Sequence, residues 1–212
     1  MCIRDRYLTG HPFDDYADHC AHFTNGPIRM LVEALPEKGQ FSARKEITVA
    51  GLVRDVRRRG GRVSIVLDDK TERLEVTLFD EVFNQFRHLI VKDAMLVVEG
   101  QLRFDEFLNA WRVTAKSVGS VDDAIEEHAR RITIQWSADD NQRDFVGSLK
   151  EALRPFTHGR CEVCVEYAGP TARASLTLGD NWSVKPTLEL RERLGLLLGT
   201  ERYSIHYPKH FV

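Results

Sequence analysis

Long apolar runs are missing from this chain of 212 residues. No stretch reaches the roughly 18 apolar residues of a membrane span, and the opening MCIRDRYLTGHPFDDY has neither an apolar stretch of about 7 to 15 residues nor a cleavage site. A soluble protein with a cytoplasmic location and no membrane partner is expected. Net charge is equally scarce: 30 Lys and Arg stand against 32 Asp and Glu, a balance of −2. Bulk electrostatics therefore give no argument for a nucleic acid, and any such site must come from local clustering.

Cysteine is sparse, with four in all. Cys161 and Cys164 form a C-x-x-C, but GRCEVCVEY has the alternation of a strand, in which residues three apart point to opposite faces; Cys2 and Cys20 have no ligand-like spacing. Reduced thiols and no metal site are expected. Neither an H-E-x-x-H pair nor a nucleophile elbow is present. Asp68-Asp69 is the one tempting carboxylate pair. Its members face opposite ways along a strand end before KTER, which suits turn and cap chemistry better than Mg²⁺ binding. No catalytic residue and no cofactor are assigned to these residues.

What is present is organised in four parts. Residues 1–45 carry GHP, NGP and PEKG punctuation around one helix, IRMLVEAL, with too few apolar positions for a core, and read as a linker and the end of an upstream domain. From Ile47 the pattern turns to strands: ITVAGLVRDVRRR, GRVSIVLDD, ERLEVTLF, then after an intervening helix AMLVVEGQLRF and NAWRVTAKSV. Val63, Ile65 and Leu67 alternate with Arg62, Ser64 and Val66, and Leu74, Val76 and Leu78 with Arg73, Glu75 and Thr77, so both strands are half-buried. The helix DEVFNQFRHLI has Asp80 as its expected N-cap and Phe83, Phe86 and Ile90 on one stripe. Five strands with a helix after the third are the order of an OB-fold, a small closed β-barrel, here over residues 46–118. Gly51 and Gly100 suit the bends or bulges by which long strands serve both sides of such a barrel.

After a connector at 119–130, residues 131–212 read as a small α/β domain. The order is strand RRITIQW, helix DDNQRDFVGSLKEALRPF, strands GRCEVCVEYAG, TARASLTLG and NWSVKP, helix TLELRERLGLLLG behind Pro186, and strand ERYSIHYP.

The chemistry-bearing feature is a cluster of arginines. Arg54, Arg57, Arg58, Arg59 and Arg62 surround a Gly60-Gly61 turn, the first hairpin loop of the barrel. Loops of this sort flank the nucleic-acid groove of oligonucleotide-binding folds. Either the turn is a solvated tip, or the like charges contact phosphates and release counterions. Lys70, Arg73, Arg103, Arg112 and Lys116 extend the patch if they share its face. Phe79 and Phe107 are candidate stacking platforms, whereas period-two counting places Trp111 inward with Val113 and Ala115. In the last domain, Leu188, Leu190, Leu194, Leu196, Leu197 and Leu198 spread wider than one buried helix face, which leaves open a well-buried helix or an apolar patch covered by a partner.

YLTGHPFDDY, followed by ITVAGLVRDVRRRGGRVSIVLDDKTERLEVTLFDEVFNQF, VVEGQLRFDEF and NWSVKP, resembles the C-terminal part of the alpha (catalytic) subunit of bacterial replicative DNA polymerase III, over residues 7–212. The sequence departs from that family in a shorter loop between the first two strands, where arginines stand, and in MCIRDR, on which nothing functional rests. Its end, YSIHYPKHFV, is less acidic than the family's last strand, which weakens an accessory clamp contact there. The resemblance implies a DNA-directed DNA polymerase, a nucleotidyltransferase acting in bacterial DNA replication, whose palm, Mg²⁺ chemistry and main sliding-clamp contact lie upstream of this segment. It implies a barrel that binds single-stranded template DNA and a last domain that binds the tau subunit of the clamp loader, with Trp182, Leu188, Leu190, Leu194, Leu197, Leu198, Tyr203 and Tyr207 in the partner surface. An anticodon-binding barrel of an aminoacyl-tRNA synthetase and a purely structural interaction module are the alternatives.

Overall fold

The computed structural model describes residues 10–33, 45–105, 109–137 and 144–208. The chain divides into two compact units, Met1–Ala124 and Ile125–Val212.

The first unit is a closed barrel in the order β1-β2-β3-β5-β4. Its strands are β1 (Lys45–Arg59), β2 (Arg62–Asp68), β3 (Arg73–Phe79), β4 (Met95–Asp105) and β5 (Ala110–Ser120). β1 pairs with β4 through Lys45–Leu52 and with β2 from Leu52 to Arg59, so one strand closes both sides. The changeover lies at Leu52, one residue past Gly51; a side chain at Gly51 would press on the backbone of Asp68 at 3.2 Å. The bulge itself is later than Gly51: register shifts between Val53 and Asp55, at Arg54. In β4 the expectation holds at the residue named, because the β4–β5 register shifts between Glu99 and Gly100. Val49, Val53, Ile65, Val76, Val98 and Val113 fill the interior and are fully buried. The strand alternation of the sequence is the pattern of this core.

Between β3 and β4 lies the inserted helix, Asp80–Phe86. Asp80 is its first residue and not its N-cap; Phe79 holds that position with extended backbone and no side-chain cap. The helix ends a turn earlier than the apolar stripe suggests, and Ile90 packs into the core from beyond it.

The N-terminal segment belongs to this unit, which the sequence did not disclose. It contains α1 (Asp14–Cys20) and α2 (Ile28–Glu33); in order, the inserted helix is α3. Ile28 and Leu31 join the barrel core. The Asp69 carboxylate accepts from the Ile28 amide at 2.7 Å, and the Thr71 hydroxyl accepts from the Arg29 amide at 3.2 Å. The β2–β3 turn thus satisfies donors that the start of α2 leaves open. Asp69 also accepts from the amides of Thr71 and Glu72, so the aspartate pair is turn and cap chemistry.

The connector at 119–130 is mostly a helix, α4 (Val121–His128). The second unit carries a sheet in the order β8-β7-β6-β9, made of β6 (Arg131–Ser137), β7 (Thr157–Ala168), β8 (Arg173–Thr177) and β9 (Tyr203–His206). β6 and β7 run parallel across α5 (Phe145–Leu153); β7–β8 and β6–β9 are antiparallel. NWSVKP is not a strand: Asp180–Trp182 is a 3₁₀ turn, and Val184 makes only isolated bridges to Thr157 and Cys161. Gly159 permits this crossing, since a Cβ there would overlap the Val184 carbonyl. α6 (Leu188–Leu198) starts at Thr187, whose hydroxyl accepts from the Leu190 amide. α5 and α6 pack on one sheet face, burying Ile132, Ile134, Val163, Leu149, Leu153, Leu190 and Leu194 in a common core. Cys161 lies in that core, where burial pushes its thiol up to about 12, while Cys164 is on the opposite face beside the Ser175 hydroxyl at 3.2 Å. Among the described residues, no group of three or more His, Cys, Asp or Glu comes together to hold a metal, and no helix is long and apolar enough to cross a membrane.

Candidate nucleic-acid interface

The two-residue turn between β1 and β2 has both glycines at positive φ, 52° at Gly60 and 76° at Gly61, the backbone that a tight hairpin turn demands. It fixes Arg59 opposite Arg62, and the register then sets which side chains share the barrel's outer surface. Directly paired residues lie on one face. Arg59, Arg62 and Phe79 form a first row. Arg57, Ser64, Thr77, Thr114 and Gln101 form a second, and Asp55, Val66, Glu75, Arg112 and Arg103 a third. Five strands thereby present a cationic and aromatic edge, a hydroxyl and amide middle, and a mixed-charge edge.

Arg58 departs from this face. It pairs with the inward Val63 and places its guanidinium 5.4 Å from the Phe83 ring on α3. Arg62 lies 5.6 Å from the ring of Phe79, which is 43% exposed. Both contacts are within cation–π range, and both arginines are exposed.

The ten cations named from the sequence separate into two groups. Arg54 and Arg73 each donate to the Asp68 carboxylate at 3.0 Å, and the Lys70 ammonium donates to Asp14 at 2.7 Å. These three do not extend the turn patch: Asp68 is at the far end of β2, about 20 Å from Arg62 at roughly 3.3 Å per residue. Burial works to raise the Asp68 pKa, but hydrogen bonds from the Lys70 amide, Arg54 and Arg73 outweigh it and hold the carboxylate below its usual value. The task of this cluster is to anchor the N-terminal segment, with His11 3.5 Å from Asp68 as a further contact. Arg112 is held between Glu75 and Asp105, Lys116 pairs with Glu46 at 2.6 Å, and Arg57 with Asp55 at 2.7 Å. Arg58, Arg59, Arg62 and Arg103 have no carboxylate partner among the described residues. Of the aromatics, Trp111 is half-buried against the core and edge-on to Phe104 at 5.2 Å, as an inward residue should be. Phe107 lies outside the described residues.

The surface expected in the second unit also divides. Leu190 and Leu194 are fully buried and cannot meet a partner, because they face the sheet. Leu197, Leu198, Tyr203 and Tyr207 are half-buried against the same core, while Leu188 and Leu196 are outward, at 42% and 90% exposure. Trp182 lies elsewhere, in an apolar groove of about 340 Å³ with Trp136, Phe145, Val146, Leu149 and Leu176. Sequence reasoning missed this groove; its one signal was an apolar Leu176 in a short strand otherwise rich in small and polar residues.

Parts of this chain are similar to known proteins. Residues 47–118 match the family of OB-fold nucleic acid binding domains, and residues 148–199 match the C-terminal domain of DNA polymerase III subunit alpha. The chain is 36% identical over 206 residues to DNA polymerase III subunit alpha of Escherichia coli O157:H7, and 34% identical over 206 residues to that of Vibrio cholerae serotype O1. Each alignment covers 95% of this chain and 17% of the relative. Among solved structures, asparaginyl-tRNA synthetase from Pyrococcus horikoshii is similar over 36% of this chain and 20% of its own, at 20% identity and a TM-score of 0.33, too slight a likeness to support an argument.

Proposed function

We propose that this chain, which joins an OB-fold nucleic acid binding domain to a DNA polymerase III alpha C-terminal domain, binds single-stranded template DNA with its barrel and the clamp-loader tau subunit with its second unit. The observation that carries the first half is the edge of Arg59 and Arg62 beside the exposed ring of Phe79, with Arg58 over Phe83 at the same turn, three cations with no carboxylate partner among the described residues. A phosphodiester backbone neutralises such charges with release of counterions, and a neighbouring ring offers a stacking face to a base of any sequence. Arg103, across the sheet on β4, gives the strand a second phosphate contact. The complete protein would be a DNA-directed DNA polymerase whose Mg²⁺ chemistry is carried by other domains, with the barrel guiding template toward them. The polymerase-type domain at 148–199 weighs against an anticodon-binding barrel.

Fluorescence anisotropy with a labelled single-stranded oligonucleotide and with a tRNA, each at two salt concentrations, tests the reading. Sequence-independent, salt-sensitive binding of the oligonucleotide, at least as tight as that of tRNA, is expected. A marked preference for tRNA would replace this reading with the anticodon-binding one; no binding of either would leave an interaction module.

A further inference from the structure

The groove of the second unit lies between α5 and the β8 side of the sheet, with Trp136 of β6, Val165 of β7 and Trp182 of the 3₁₀ turn also in its lining. Trp136, at the end of β6, stacks on Phe145 of α5 with ring centroids 4.8 Å apart and planes 9° from parallel. Trp182 adds another aromatic wall, and Val146 and Leu176, 66% and 55% exposed, form the lips. Apolar side chains of this size, exposed on both sides of one cleft, are unusual on a surface with no partner.

The strand beside the groove is open as well. β8 is an outer strand of the sheet, it pairs only with β7, and all five of its residues are exposed. Its register pairs Leu176 with Val165 and Ala174 with Tyr167, so Leu176 faces the groove, Ala174 lies on the same side of the strand, and Arg173, Ser175 and Thr177 face away. Backbone groups on such an edge are a template for an added strand, whose alternate side chains would then enter the groove. Charge narrows the choice of occupant. Among the described residues, Lys150 is the one charged residue lining the groove, Arg173 begins the strand, and neither has an ion-pair partner.

We infer that this groove seats an extended peptide with alternating apolar residues and flanking carboxylates, which adds to the edge of β8 as a further strand. On the reading proposed above, and resting on it, the peptide is a segment of the tau C-terminal domain. The leucines of α6 are then secondary: the contact runs along α5, β8 and the 3₁₀ turn that carries Trp182.

Calorimetry of the full chain with the tau C-terminal domain tests this, with Leu176→Glu and Lys150→Glu as variants at exposed positions and Leu196→Glu on α6 as the control. Each groove variant should weaken binding about tenfold or more, the control should bind as the unaltered chain does, and hydrogen exchange at the Arg173–Thr177 amides should slow in the complex. Binding within about twofold for both groove variants would overturn the groove and leave the tau reading standing. Slowed exchange in α5 with none in β8 would overturn strand addition in favour of a helix seated in the cleft. No binding by the unaltered chain, with a tau that binds a complete alpha subunit, would overturn both the groove and the reading beneath it.

Discussion

The guanidinium of Arg62 lies over the ring of Phe79, 5.6 Å from its centroid, because β2 and β3 place the two residues directly opposite each other. A cation and a stacking face are thus presented as one unit beside the β1–β2 turn. Replacing Phe79 with Ala should weaken single-stranded DNA binding by about 1–3 kcal/mol, whereas Tyr or Trp at that position should retain it. Anisotropy titrations at one fixed salt concentration decide the matter; equal binding by the Ala and Tyr variants would remove Phe79 from the interface.

Asp68 should make a pH-dependent contribution to stability. Its folded-state pKa is lowered, so the unfolded chain takes up its proton first as pH falls. The stabilisation is therefore complete above the ordinary carboxylate value near about 4, and is lost as pH drops through the lower folded value. Asp68→Asn should cost about 2 kcal/mol at neutral pH, since several donors including two guanidinium groups would face a neutral amide in place of a charged acceptor. Urea melts of both proteins between pH 7 and pH 2.5 should show the difference shrinking toward acid; a difference independent of pH would contradict the assignment.

Gly100 and Gly119 lie on neighbouring strands and make a matched pair. A Cβ at Gly100 would overlap the Thr114 carbonyl and crowd Val113, whereas one at Gly119 would meet nothing within 4 Å. Gly100→Ala should destabilise the barrel by about 1–3 kcal/mol through overpacking at the bulge. Gly119→Ala should be close to neutral. Thermal melts that rank the two variants the other way would show that the bulge is more adaptable than the packing implies.

Much of the barrel could be read before any coordinates because β2 and β3 bury alternate residues, Val63, Ile65 and Leu67 against Leu74, Val76 and Leu78, and period two is a local signal. The N-terminal docking could not, since the group that accepts from Ile28 is Asp69, 41 residues away. Which arginines keep their charge free was equally hidden. Arg73 meets Asp68, and Arg112 meets Glu75, only through cross-strand register, and the second pairing is a parallel one between β3 and β5. The α6 leucines illustrate the limit of composition: Leu190 and Leu194 face the sheet while Leu188, Glu192 and Leu196 share the outward stripe, a division set by what packs beneath the helix.

The central claim is that the β1–β2 turn neutralises DNA phosphates. It is tested most directly by the salt dependence of single-stranded DNA affinity for the unaltered chain and for a variant with Arg58, Arg59 and Arg62 all changed to Ala. These residues form no ion pair among the described residues, and Val63, Ile65 and Leu67 still supply the inward face, so the barrel should remain folded. The account predicts weaker binding of unrelated sequences to a similar degree, and a slope of log affinity against log salt that is shallower by about 0.7 for each phosphate the variant no longer neutralises. An unchanged slope and affinity in the folded triple variant would contradict it.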